Sequence, residues 1–144
     1  MKKLIALLSI AFIAASTTFA GDFPQGSPPF EHKLADALTK AKAAKKPVIA
    51  IFSAVWCGPC QQMKKQVYPS AEVKPFHDKF IWAYLDADED ANAADMKMFK
   101  VEGIPHIEFL DSTGKSIGQQ VGSSPAAGFA KKLEEMLKKA GGKG

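Results

Sequence analysis

The chain contains two cysteines, Cys57 and Cys60, which stand only three positions apart in the segment C-G-P-C. A continuous apolar run at residues 48–52 precedes them, and a stretch compatible with a helix begins near Gly58. Apolar runs of this length are typical of strands covered on both faces, and C-x-x-C beside a βαβ pattern is typical of a redox motif. The pattern predicts a buried strand that delivers a reactive thiol pair to the start of a helix.

The predicted helix start makes the two cysteines chemically different. If Pro59 lies near the first helical position, the unpaired backbone N–H groups of the first turn point toward Cys57 and stabilise its thiolate. C-x-x-C cysteines at helix N-termini can have pKa values lowered from about 8.5 to roughly 3.5–7.5. Cys57 is therefore the predicted nucleophile. Cys60, one turn further in, is the predicted resolving thiol that attacks the mixed disulfide.

Other uses of a cysteine pair fit the sequence less well. A structural zinc needs about four ligands, and only three scattered histidines accompany the cysteines. Covalent haem attachment needs a histidine directly after the second cysteine, where Gln61 stands. The acidic stretch 86–90 lacks the glycine and glutamate that an EF-hand loop requires at its sixth and twelfth positions. A buried structural disulfide stays open as an alternative, and neither a metal nor an organic cofactor is predicted.

Two segments of the chain resemble the thioredoxin superfamily. Residues 56–60, W-C-G-P-C, are similar to its active site, and residues 103–105 match its G-I-P segment. Judged by element order, the resemblance covers residues 47–139. It implies an α/β fold, a thioredoxin-like three-layer sandwich in which helices flank a four- to five-stranded mixed sheet. It also implies dithiol–disulfide exchange with protein disulfide substrates.

The resemblance also implies where a substrate binds. In the family the G-I-P proline is cis and lies against the cysteine pair, which would let Ile104 pair through its backbone with an extended substrate strand. Trp56 would form an apolar wall beside the cysteines, and Gly122 would admit a substrate backbone closely. A trans proline, a core tryptophan and a plain turn glycine are the alternatives. The residues predicted to bind substrate are Trp56, Gly58, Pro59, Ile104, Pro105 and Gly122.

The chain departs from the family at two positions that bear on the second cysteine. Thioredoxins carry a buried Asp six positions before the first cysteine, where this chain has Ile51, and commonly a Lys on the next strand, best matched by Trp82. The usual proton acceptor for Cys60 is therefore missing. His106 and Glu108 are the nearby ionisable candidates, the first for electrostatic tuning and the second as a substitute base. The alternatives are that His106 is merely a partly exposed strand residue and that strand alternation points Glu108 to solvent.

Hydrophobic periodicity and turn residues place the other elements around this motif. The predicted order is helix, strand, helix, strand, helix, two strands forming a hairpin, and helix. The corresponding ranges are 31–45, 48–52, 58–67 with a break at 68–70, 80–85, 91–100, 107–110 with 116–121, and a last helix that begins at Ser124 and Pro125. The tail at 138–144 is predicted to fray.

Residues 1–20 have the composition of a secretory signal peptide: two lysines, an apolar run at 4–15, and small residues before a predicted cleavage after Ala20. The run is shorter than the approximately 20 residues that span a bilayer, and an uncleaved anchor is the alternative. Residues 21–29 are predicted to be a flexible leader, and 30–144 a single domain. The protein is therefore expected to be exported, to the periplasm or the medium.

Composition narrows the class of partner. Loss of Lys2 and Lys3 with the signal peptide lowers the formal net charge from +4 to +2. The chain has no arginine, the residue best suited to bidentate recognition of phosphates and bases, so no nucleic-acid role is predicted. We expect a monomer that reduces protein disulfides, because the Gly-Pro dipeptide between the cysteines resembles that of reducing thioredoxins more than that of strong oxidants. A membrane-embedded thiol electron donor would keep it reduced in an oxidising compartment. A disulfide-donating oxidase or isomerase, and a non-enzymatic binding module or chaperone, are the alternatives.

Overall fold

Five strands and four α-helices make up the regular framework of residues 23–141, the part of the chain that the computed structural model describes. The predicted signal peptide lies outside the described residues. The strands are β1 (Phe30–Glu31), β2 (Val48–Ser53), β3 (Ile81–Asp86), β4 (His106–Leu110) and β5 (Ser116–Val121). The helices are α1 (Leu34–Ala44), α2 (Gly58–Gln62), α3 (Ala93–Met98) and α4 (Ala126–Gly141). A π-helical turn, Met63–Val67, continues α2, and 3₁₀ turns cover Lys74–Lys79 and Asp90–Asn92.

The strands form one mixed sheet in the order β1-β3-β2-β4-β5. β3 is parallel to β1 and β2, whereas β4 is antiparallel to both β2 and β5. At the centre of the sheet, Ile51 lies between Tyr84 of β3 and Ile107 of β4. The predicted four- to five-stranded mixed sheet is confirmed.

All six residues of β2 are buried, because helices cover both faces of the sheet. One face packs against the π-helical continuation of α2 and against α4, and the other packs against α1 and the segment around α3. Leu34, Ala37 and Ala41 give α1 its buried stripe, and Phe129, Leu133 and Met136 do the same for α4. This is the predicted three-layer sandwich.

Several predicted element boundaries are wrong. Helix α1 begins at Leu34 and not at residue 31, because residues 30 and 31 form the edge strand β1 beside Trp82 and Ala83. The tail predicted to fray from residue 138 continues as helix to Gly141. Two i,i+4 ion pairs support this last part of α4, Lys138–Glu134 and Lys139–Glu135, each with a nitrogen–oxygen distance of 3.0 Å.

The described part of the predicted leader packs on the domain. The ring centroid of Phe23 lies 4.4 Å from that of Phe30 and 5.0 Å from that of Tyr84. The ammonium of Lys64 lies 4.4 Å from the centroid of the Phe23 ring. Composition indicates flexibility for 21–29, but the aromatic side chain at position 23 attaches the segment to the edge of the sheet.

We expect the aromatic cluster under α4 to contribute strongly to stability. Phe129 is fully buried, with its ring centroid 5.7 Å from that of Tyr68 and 6.4 Å from that of Trp82. Phe129→Ala should lower the free energy of unfolding by about 3–5 kcal/mol, measured by urea denaturation. Met98→Ala is the control, since Met98 is 60% exposed and should change it by less than about 0.5 kcal/mol. Equal losses in both variants would contradict this view of the core.

Candidate functional site

Both cysteines lie at the carboxyl end of β2, joined by a disulfide bond. Ligands of open α/β sheets bind beyond this end of the strands. Cys57 is the N-cap of α2 and is 5% exposed, whereas Cys60 lies inside the first turn and is 1% exposed. Both cysteines are therefore buried in the disulfide form, with Cys60 one turn further into the helix than Cys57.

The first turn of α2 directs a backbone donor at the outer sulfur. The N–H of Cys60 donates to Sγ of Cys57 over 3.3 Å, and Pro59 occupies a first-turn position that needs no N–H. The N–H of Cys57 donates to the carbonyl oxygen of Ala54 over 3.2 Å, which closes the loop before the helix. After reduction, the Cys60 N–H would stabilise a thiolate on Cys57 by a charge-assisted hydrogen bond.

The loop before β4 faces the disulfide from the other side. The Ile104–Pro105 peptide bond is cis, and the carbonyl oxygen of Ile104 lies 3.7 Å from Sγ of Cys57. Gly122 has a φ of +89° and donates its N–H to the carbonyl oxygen of Pro105 over 2.8 Å. The left-handed backbone at position 122 explains the glycine there. The structure thus brings together three predicted site segments that are far apart in the sequence.

Trp56 is 67% exposed beside the disulfide, so it is not a core residue. Its Nε1–H donates to Oδ2 of Asp88 over 2.7 Å. Together with Ile104 and Glu102 the two side chains line an open cleft of about 400 Å³. Asp88 was not among the predicted site residues, because no local pattern in the acidic stretch 86–90 links it to the cysteines.

Gly58 and Pro59 are exposed on the first turn of α2. A Cβ added at Gly58 would meet no atom within 4 Å among the described residues, so packing does not require a glycine there. Their exposure leaves both residues free to contact a partner protein.

His106 and Glu108 form a buried pair on β4, with 2.9 Å between Nε2 of His106 and Oε2 of Glu108. Ser116 donates its hydroxyl to the other carboxylate oxygen. The alternatives that His106 is partly exposed and that strand alternation points Glu108 to solvent are therefore wrong. Their backbone partners on β2 are Phe52 and Ala50, which face α1, on the opposite side of the sheet from Ile51. Within residues 23–141 neither side chain hydrogen-bonds a cysteine.

Tyr84 occupies the position beside Ile51 on β3. The prediction that Trp82 best matches the family's lysine is therefore wrong. Ile51 pairs in register with Tyr84, whereas Trp82 pairs with Ile49. The hydroxyl of Tyr84 lies 2.6 Å from Oγ of Ser53. A hydroxyl pair therefore lies on the face that the missing acid would occupy.

Metal and membrane sites are not found in the described part of the chain. Between residues 23 and 141 no three side chains among His, Cys, Asp and Glu come close enough to hold a metal ion. No helix in this range has the length and apolar composition needed to cross a membrane.

We expect substitution of the buried pair on β4 to change the stability of the fold strongly and the reduction potential little. Glu108→Ala leaves both His106 and Ser116 without their partner and should lower the free energy of unfolding by about 3–5 kcal/mol. The isosteric Glu108→Gln should cost less. Both variants should retain the wild-type reduction potential, measured against glutathione buffers. A shifted reduction potential in Glu108→Gln would contradict this expectation and show that the pair tunes the cysteines.

A profile of the family described as Thioredoxin-like domain matches residues 34–137. The thioredoxin-like protein HCF164 of Arabidopsis thaliana is 31% identical over 84% of this chain and 43% of its own length. The thiol:disulfide interchange protein TxlA homolog of Synechocystis is 31% identical over 85% of this chain and 67% of its own. Across four curated relatives the chain spans between 18% and 67% of their length.

Comparison with solved structures gives the same fold. A thioredoxin from Thermus thermophilus superposes with a TM-score of 0.72, covering 80% of this chain and 91% of its own, at 27% sequence identity. The matched range 34–137 contains α1, strands β2 to β5, both cysteines and most of α4. From the family match, the relatives and the shared architecture together, the chain belongs to the thioredoxin-like family.

Proposed function

We propose that this protein is an exported thiol–disulfide oxidoreductase that reduces protein disulfides through Cys57 and Cys60. One observation carries the proposal: the paired cysteines lie at a helix start, with the Cys60 N–H directed at Sγ of Cys57 and the Ile104 carbonyl facing it. Such an arrangement stabilises a thiolate on the outer sulfur and leaves an acceptor for the substrate backbone beside it.

The exchange proceeds in two displacements. The thiolate of Cys57 attacks one sulfur of the substrate disulfide, whose S–S bond breaks, and the departing substrate thiolate takes a proton from water. Deprotonated Cys60 then attacks Sγ of Cys57, the mixed disulfide breaks, and the second substrate thiolate leaves and is protonated. Two electrons pass to the substrate, and the intramolecular disulfide forms. The disulfide seen in the structure corresponds to the protein after this turnover.

Substrate binding would use the surface around the outer sulfur. An extended substrate strand would accept and donate backbone hydrogen bonds at Ile104, next to Pro105, while exposed Trp56 covers its apolar side chains. Gly122 leaves room for the substrate backbone on the far side, since a Cβ there would meet no atom within 4 Å among the described residues. Main-chain recognition of this kind tolerates many substrate sequences.

The reducing direction requires an external source of electrons. We propose a membrane-embedded thiol carrier that attacks the Cys57–Cys60 disulfide and regenerates the dithiol. Support comes from relatives named thiol:disulfide interchange proteins, the TxlA homolog and a DsbD. A signal peptide at residues 1–20 would bring a monomeric domain, residues 30–144, into the compartment where disulfides form.

The two cysteines should respond differently to substitution. Cys57→Ser should abolish reduction of a protein disulfide, because it removes the attacking sulfur. Cys60→Ser should accumulate a mixed disulfide with the substrate, seen as an adduct on a non-reducing gel that dithiothreitol removes. Ser70→Ala serves as the control, because Ser70 lies outside the segment that carries Cys57 and Cys60. Wild-type disulfide reduction by Cys57→Ser would contradict Cys57 as the nucleophile, whereas full cellular function of a Cys57→Ser variant that reduces no disulfide would favour the non-enzymatic binding module.

The reduction potential of the pair decides the direction of transfer. Equilibration of the chain lacking residues 1–20 against glutathione buffers should give a value near about −270 mV, as in thioredoxin. A value near about −120 mV, typical of strong oxidants, would contradict the reductase and favour a disulfide-donating oxidase.

A further inference from the structure

A polar group made by Ser53, Tyr84 and Gln61 lies beside the disulfide, and the exchange reaction as proposed does not use it. Ser53 ends β2, is 1% exposed, and places its Oγ 2.6 Å from the Tyr84 hydroxyl oxygen. Ser53 is followed directly by Ala54, and Gln61 follows Cys60 directly. The hydrogen bond between Ser53 and Tyr84 therefore joins the end of β2 to β3, and Gln61 belongs to the first turn of α2.

The same group is joined to the loop that carries the outer sulfur. Nε2 of Gln61 donates to the carbonyl oxygen of Ala54 over 3.0 Å. That carbonyl also accepts the N–H of Cys57 over 3.2 Å, and Ala54 packs against both cysteines. Because both donors share this carbonyl, a displacement of Ala54 would shift Cys57 relative to the helix.

The ring of Tyr84 is held in place by aromatic neighbours. Its centroid lies 5.0 Å from that of Phe23 and 5.5 Å from that of Phe30, both in edge-on contact. The Lys64 ammonium lies 5.8 Å from the ring centroid. The ring forms part of the wall of an open cleft of about 410 Å³, whose other lining residues are Phe23, His32, Val55, Lys64, Asp86 and Glu89.

The phenol stays protonated at neutral pH. Burial raises the pKa of Tyr84, and the nearby Asp86 carboxylate raises it further, while Ser53 and Gln61 oppose part of this shift. A protonated phenol can donate one hydrogen bond and accept another. At neutral pH it can therefore keep its hydrogen bond with the Ser53 hydroxyl.

We propose that Tyr84 is a positioning residue for the dithiol: its hydrogen bond with Ser53 fixes the end of β2, so that the adjacent Ala54 carbonyl stays in place to accept the Cys57 N–H and the Gln61 amide. Cys57 thereby keeps its position relative to the first turn of α2. The inference rests on the proposed function, because it concerns the reactivity of the same cysteine pair. Tyr84 is not a catalytic residue, since it acts through Ser53 and Ala54. It occupies the β3 position beside Ile51, where the chain lacks the family's charged groups.

Tyr84→Phe tests the proposal, since it keeps the ring and removes the hydroxyl. With the Cys60 N–H less well aimed, the thiolate of Cys57 is less stable, so its absorbance titration at 240 nm should move to higher pH. Alkylation of Cys57 by iodoacetamide at pH 7 should slow roughly three- to tenfold, as loss of one hydrogen bond predicts. Ser53→Ala should act in the same direction. The double variant should add little, because both changes remove one interaction.

Tyr68→Phe is the matched control. The Tyr68 hydroxyl is buried and has no hydrogen-bond partner among the described residues, so its removal should leave titration and alkylation unchanged. Thermal unfolding of every variant separates loss of stability from loss of reactivity. Wild-type titration and alkylation in Tyr84→Phe, or equal effects in Tyr68→Phe, would overturn the proposal. Neither assay needs a protein substrate, so an inactive wild type would reject the proposed function without deciding this one.

Discussion

The burial of β2 on both faces is the constraint on which the rest of the structure depends. A strand with six buried residues needs a neighbour on each side and a layer of helices above and below. Because β4 is antiparallel to β2, it begins at the same edge of the sheet at which β2 ends. Cys57 follows the end of β2, and Pro105 precedes the start of β4. The topology alone therefore brings these two residues together.

The sequence was sufficient to predict the central part of this arrangement. The apolar run at 48–52, the C-x-x-C spacing and the hairpin at 107–121 are local patterns, and each appears in the structure near its predicted place. The two-residue strand β1 is too short to show any alternation. The pairing of Ile51 with Tyr84 depends on the register between two parallel strands, which no local pattern determines because the crossover between them can vary in length.

The buried pair on β4 shows a second limit of pattern reading. Alternation predicts polar residues on the solvent face of a strand, but β4 is covered on both faces, so all five residues are buried. Its polar side chains satisfy one another and Ser116 instead of water. The sequence of β4 alone does not show that the buried Glu108 carboxylate accepts a hydrogen bond from Ser116 on the neighbouring strand β5. The hydrogen bond from Trp56 to Asp88 is a comparable case, since it joins two loops that are 32 residues apart.

The brevity of β1 has a consequence for self-association. At this edge of the sheet β1 pairs with Trp82 and Ala83 only, and the prolines at positions 28 and 29 just before it have no N–H to offer another chain. The opposite edge, β5, carries mostly polar and glycine residues. Neither side presents the long, flat, apolar strand that invites aggregation. The two edges of the sheet thus give further copies of the chain little backbone to pair with.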